Sequence, residues 1–194
     1  LAEFLGAPNK NATLPVLKEK LSKGYKNVVF FCFDGLGMYP LSKNLSKEDF
    51  LIKNINQVLL STFPSTTTNA TMSLLSNQLP LEHGWFGWSM HFDDINKNVD
   101  IFLNRDSATG EAVQYNHSPL GKIDYYFDQA NTDYAINTVF PRFIRVSHPE
   151  RNSTYQSMGE LFSAVQNICR KSGKQFIYAY YPEPDSTMHD YGVT

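Results

Sequence analysis

The sequence predicts an α/β fold built on a mostly parallel central sheet flanked by helices, and three observations carry that expectation. Residues 28–33 and 176–181 are continuous runs of apolar, β-branched or aromatic side chains, the pattern of strands buried on both faces of a parallel sheet. Met158, Leu161, Phe162, Val165 and Cys169 share one face of a helix. Residues 58–77 read as strand, tight turn, helix.

In chain order, Thr13 precedes Leu14, Leu17 and Leu21, which are spaced for one helix face, and Gly24 supplies a stop. The first strand, 28–33, ends at Asp34-Gly35. Ser46 followed by Asp49 has the form of a capping box opening a brief helix through Leu51. The apolar segment 58–63 runs as a second strand into Pro64. The hydroxyls of Ser65, Thr66, Thr67 and Thr68 then offer N-cap chemistry for a helix through Ala70, Leu74 and Leu75 to about Asn77. Residues 85–149 lack clean periodicity, although 99–103 and 134–139 read as strands. Thr154 is the expected cap of the amphipathic helix, which closes with Arg170, Lys171 and Gly173. The last strand, 176–181, runs into Glu183-Pro184-Asp185.

Composition narrows the function classes. The 194 residues are 42% hydrophobic and 14% aromatic, enough apolar material to bury a sizeable core. With 17 Lys+Arg against 19 Asp+Glu, the net charge of -2 gives no field for capturing a phosphate backbone, so no nucleic-acid polymer is expected as partner. The longest unbroken apolar run, 28–33, is far short of the roughly 18–20 residues a membrane-spanning helix needs, so no membrane span is expected. Two cysteines, Cys32 and Cys169, are too few for a disulfide framework and read as small packing residues. Asn-x-Ser/Thr triplets at Asn11, Asn44, Asn69, Asn116 and Asn152 read as chance in a chain rich in these residues, which favours the cytoplasm over secretion. Oligomeric state is not legible.

Each of the three expected strands ends in a polar group: Asp34, then the Ser65 to Thr68 hydroxyls, then Asp185 with His189. Ligand crevices in open α/β sheets lie beyond the carboxyl ends of strands, so these groups are expected to converge. Asp185 and His189, four apart, fall on one face of a helical turn, and carboxylate with imidazole suits zinc. A hydroxyl at a helix N-terminus suits a phosphate, and a divalent metal lowers its pKa enough for it to attack phosphorus.

The stretch Phe63-Pro64-Ser65-Thr66-Thr67-Thr68-Asn69, continued to Leu79-Pro80-Leu81-Glu82-His83-Gly84, resembles the nucleophile segment of the type I phosphodiesterase/nucleotide pyrophosphatase family in the alkaline phosphatase superfamily. Asp34-Gly35 after its strand looks like that family's first metal-ligand motif. Glu183-Pro184-Asp185-Ser186-Thr187-Met188-His189, followed by Tyr191-Gly192, looks like its Glu-Pro-Asp-x-x-x-His motif. The resemblance implies an alkaline-phosphatase-like three-layer fold, with residues 1–194 as the N-terminal portion of a single catalytic domain truncated at its C-terminus. It implies Thr67 as nucleophile, forming a phospho-threonine that water then hydrolyses. It also implies two divalent metals, most simply zinc, with Asp34 and Thr67 on one and Asp185 and His189 on the other. The implied activity is metal-dependent hydrolysis of a small-molecule phosphoric ester. A phosphomonoesterase or phosphomutase of the superfamily, or a non-catalytic module retaining the fold, are the alternatives.

Two departures from the family pattern bear on this. Where nucleotide pyrophosphatases carry an Asn that helps hold the phosphate, this chain has Trp88, whose indole donates a single hydrogen bond. Trp88 is thus a candidate substrate-binding residue, with a loop pinned by Trp85, Phe86 and Trp88 as the alternative. The family's downstream Asp-His pair and later His have no counterpart here, so the remaining metal ligands are expected beyond Thr194, and the 194-residue chain alone is expected to bind zinc weakly. His83, His91, His117 and His148 are expected outside the metal shell.

Overall fold

A computed structural model describes residues 1–113, 125–144 and 149–193. In chain order these form α1 (Pro15–Leu21), β1 (Asn27–Phe33), α2 (Met38–Asn44), α3 (Phe50–Lys53), α4 (Thr67–Ser76), α5 (Pro80–His83), β2 (Ser89–Phe92), β3 (Lys97–Asp100), β4 (Arg105–Asp106), β5 (Tyr134–Pro141), β6 (Asn152–Tyr155), α6 (Met158–Cys169), β7 (Lys174–Tyr181) and α7 (Asp185–Tyr191). The molecule is α/β, with a parallel four-stranded sheet and a three-stranded antiparallel one. No helix among the described residues is long and apolar enough to cross a membrane.

The chain divides into two compact units. One comprises Lys23–Leu60, Tyr134–Arg142 and His148–Thr194 and is built on the parallel sheet, in the order β1-β7-β5-β6. β7 lies between β1 and β5, and six of its eight residues are buried. That position explains its unbroken apolar run, because a strand flanked on both edges and covered on both faces has no polar side. Against one face packs α6, whose Leu161, Val165 and Ile168 meet Val139, Tyr155, Ile177 and Ala179. Full burial of each such aliphatic side chain contributes about 1.5–3 kcal/mol. The other face is aromatic: Tyr178 stacks on Phe30 at 5.5 Å between ring centroids and lies 5.7 Å from Phe140, which also approaches Tyr180 at 6.0 Å.

Several expectations are corrected in this unit. β1 has the apolar pattern of a doubly covered strand but is only half-buried at all seven positions, because it forms an outer strand of the sheet. Residues 58–60 are not a strand; Val58, Leu59 and Leu60 are exposed, Leu60 at 99%. Apolar β-branched sequence forms a strand only where a partner edge accepts its backbone groups. The Ser46 and Asp49 side chains bond each other at 2.9 Å in a turn, and α3 starts only at Phe50. Thr154 belongs to β6, and Ser157 caps α6 by accepting from the Glu160 N–H at 3.3 Å. Of the expected α6 face, Leu161 and Val165 are buried and joined by Ile168, whereas Met158 and Phe162 are exposed. The helix α2 follows Asp34-Gly35 without a sequence forecast; Pro40 sits in its first turn, where a missing N–H costs nothing.

The second unit comprises Leu1–Ser22, Ser61–Asp133 and Phe143–Ser147. Here α4 runs as expected to Asn77, which closes it in the left-handed conformation at φ 58°. Residues 61–63 are likewise not a strand. Residues 99–103 split: Val99 and Asp100 complete β3, and Ile101–Leu103 turn into a 3-10 helix. The antiparallel sheet β2-β3-β4 is held partly by Asp100, whose carboxylate accepts from Ser89, from Ser107 at 2.7 Å and from Arg105 at 3.2 Å. Met72, Trp85 and Ile101 form the local core, with Phe102 and Tyr125 against it.

Candidate functional site

β1 and β7 run side by side in register from Asn27↔Gln175 to Phe33↔Tyr181, so their carboxyl ends emerge together. The next residue after β1 is Asp34, and its backbone is pinned at both ends. Its N–H donates to the Tyr181 carbonyl at 2.9 Å, and its carbonyl accepts from the Asp185 N–H at 3.1 Å. The Asp34 side chain accepts a hydrogen bond from the Tyr180 hydroxyl at 2.8 Å. Gly35 then turns away at φ +70°, with the Asp185 Cα only 2.8 Å from where a Cβ would stand.

Asp185 opens α7, and one turn on, His189 Nε2 lies 3.3 Å from Asp185 Oδ2. The first turn of α7 is tied by Glu183, whose carboxylate accepts from both the N–H and the hydroxyl of Thr187, at 2.9 and 2.7 Å. Burial first, and then the negative charge of Asp34, hold the Asp185 carboxyl above the usual carboxylate range, more than His189 offsets. The structure therefore brings Asp34, Asp185 and His189 to one sheet edge, as the strand-end argument expects of these three. Among the described residues, no three His, Cys, Asp or Glu side chains are grouped so that they could hold a metal ion. Two carboxylates that repel each other beside an imidazole nonetheless fit part of a divalent-cation site in donor chemistry and charge.

Thr67 belongs to the other unit, at the first position of α4. Around it, Ser65 donates to the Thr62 carbonyl at 3.0 Å, Thr66 is the N-cap, accepting from the Asn69 N–H at 3.3 Å, and Thr68 is fully buried. Thr67 itself is half-buried. Asn69 holds the preceding loop through a 2.8 Å bond from its amide to the Pro64 carbonyl.

Trp88 is 43% exposed and packs edge-on to Phe102 at 6.1 Å, while Trp85 is buried. The aromatic loop therefore divides into one anchor and one open indole. His83 is buried with both ring nitrogens engaged: Nδ1 accepts from the Trp85 N–H at 3.0 Å, which places the proton on Nε2, 2.9 Å from the Ser73 hydroxyl. His91 is exposed beside Asn98 and Asp93. His117 and His148 lie outside the described residues. Cys32 and Cys169 are free thiols, and burial pushes Cys32 up to about 11, which leaves it inert at neutral pH. A pocket of about 170 Å³ between the N-terminal turn and α1, lined by Phe4, Leu17 and Leu21, contains none of the chemistry-bearing residues.

The His83 bonds carry a pH dependence. Burial lowers its pKa, so the unfolded chain takes up the proton first. Its contribution to stability is complete above the unfolded value of about 6.5 and is lost as pH falls through the folded value. Urea unfolding at pH 7.5 and 5.0 should show a larger acid loss in the wild type than in His83→Gln; equal losses would show that the imidazole is not held neutral.

Sequence reasoning misses Tyr180 and the close approach at Gly35. The signal for the first is a hydroxyl-bearing ring near the carboxyl end of an apolar strand, and the second has none. Comparison of the chain with family models, curated proteins and solved structures finds no match.

Proposed function

We propose that the protein is a metal-dependent phosphoric ester hydrolase of the phosphodiesterase type, with Thr67 as nucleophile and Asp34, Asp185 and His189 among the ligands of its divalent metals. The observation that carries the reading is the pairing of Asp34, just after β1, with Asp185, at the start of α7, whose backbones are joined by a 3.1 Å hydrogen bond. The negative charge of Asp34 disfavours ionised Asp185, a cost that a cation relieves, and His189 one turn away adds a nitrogen donor. When bound, a divalent metal supplies positive charge that acidifies a hydroxyl and offsets the charge of a phosphoryl group.

The chain's own residues then have distinct tasks. Tyr180 and the backbone bonds hold the Asp34 carboxylate, and Glu183 holds the turn that carries Asp185 and His189. Thr67 Oγ1 forms the bond to phosphorus as the ester's alcohol departs, and water cleaves the phospho-threonine to release phosphate or a monoester and restore the hydroxyl. Trp88, exposed on its loop, offers an apolar wall and one N–H donor to the substrate.

The test uses the natural protein, with whatever sequence flanks residues 1–194, and nitrophenyl phosphodiester and monoester substrates. Zinc-dependent release that a chelator abolishes is expected, faster with the diester. Faster release from the monoester would move the assignment to a phosphomonoesterase, and no metal-dependent release from either would overturn it.

A further inference from the structure

We infer that Tyr180 is a positioning residue for the Asp34 carboxylate, fixing the orientation in which it meets a divalent cation; this rests on the metal-site reading above. Tyr180 is 4% exposed, and its hydroxyl meets Asp34 Oδ2 at 2.8 Å. A hydroxyl hydrogen bond to a carboxylate is charge-assisted and stronger than a neutral one. With Oδ2 engaged and the Asp34 backbone bonded on both sides, the side chain has little rotational freedom left, and the carboxylate is held in one orientation.

The placement follows from the sheet. Tyr180 lies opposite Cys32 in the β1·β7 register, two residues short of Asp34, and its ring packs near Phe140 on the aromatic face. The strand that carries the hydroxyl also runs on into Asp185, so one element orients one ligand and delivers another. Ligands of catalytic metals are commonly held by such outer hydrogen bonds, whose loss weakens metal binding about 10–100-fold.

Tyr180→Phe keeps the ring and removes only the hydroxyl. Tyr155→Phe is the matched control, because the Tyr155 hydroxyl is also buried but donates to the Tyr180 carbonyl at 2.6 Å and not to Asp34. The probe is cobalt(II), titrated into the natural protein and followed by its visible absorption, with thermal unfolding of the metal-free variants as the measure of folding. Tyr180→Phe should weaken cobalt binding about 10–100-fold and alter the absorption envelope, whereas Tyr155→Phe should do neither. In the wild type, cobalt should also perturb the near-ultraviolet tyrosine band, a readout that does not depend on the variant folding. If the wild type binds cobalt and Asp34→Asn weakens it, but Tyr180→Phe matches the wild type or Tyr155→Phe weakens it equally, the positioning role is wrong and the metal site stands. If the wild type binds no cobalt, both fall.

Discussion

Thr67→Ala should lower turnover of a phosphodiester by at least about three orders of magnitude, while Thr67→Ser retains measurable activity. A covalent nucleophile contributes a bond that nothing nearby can replace, and a thousandfold corresponds to about 4 kcal/mol of lost transition-state stabilisation. Serine keeps the attacking oxygen and loses only a methyl group. The neighbouring hydroxyls give the contrast. Thr66→Ala removes the N-cap bond to the Asn69 N–H and should cost about 1 kcal/mol of stability with a small effect on rate. Thr68→Ala opens a small void in a fully buried position and should likewise act through stability. Steady-state kinetics with urea unfolding on the four variants separates these effects. A lethal Thr66→Ala in a protein that still folds would mean that the nucleophile is one position earlier than the motif register places it.

The elements that sequence alone locates are those whose residues are dictated by burial. β7 is legible because its position between two strands buries the apolar and aromatic run from Phe176 to Tyr180, and α6 because one stripe faces that sheet. Residues 58–63 carry much the same composition and mislead, since nothing in the segment itself says whether a partner strand is present. Of the antiparallel sheet at 89–106, only Val99 and Asp100 fall in an expected strand, for the opposite reason: its cohesion comes partly from polar groups, such as Asp100 with Ser107 and Arg105, that mimic a loop in sequence. The grouping of Asp34 with Asp185 and His189 is legible through a general rule about strand ends. Tyr180 is not, because in an apolar run its ring and its hydroxyl give opposite signals.

Gly35→Ala should both destabilise the metal-free protein and weaken divalent metal binding by at least about tenfold, a loss of about 1.4 kcal/mol in binding. Two separable costs are involved. Gly35 has φ +70°, where a residue with a Cβ is strained by about 1–2 kcal/mol. A Cβ there would also stand 2.8 Å from the Asp185 Cα and 2.9 Å from its Cβ, contacts that require movement of backbone rather than of a flexible side-chain end. The movement falls on the junction where the Asp185 N–H bonds the Asp34 carbonyl, so the two carboxylates separate. Gly173 supplies the control: it has φ +75° with nothing within 4 Å of where a Cβ would stand, and Gly173→Ala carries the strain without the contact. Both substitutions should therefore lower the urea midpoint, Gly35→Ala by more, and only Gly35→Ala should lose affinity for cobalt(II). Equal affinity in the two variants would mean that Asp34 and Asp185 tolerate separation, and the close approach of the two strand ends would then have no part in holding metal.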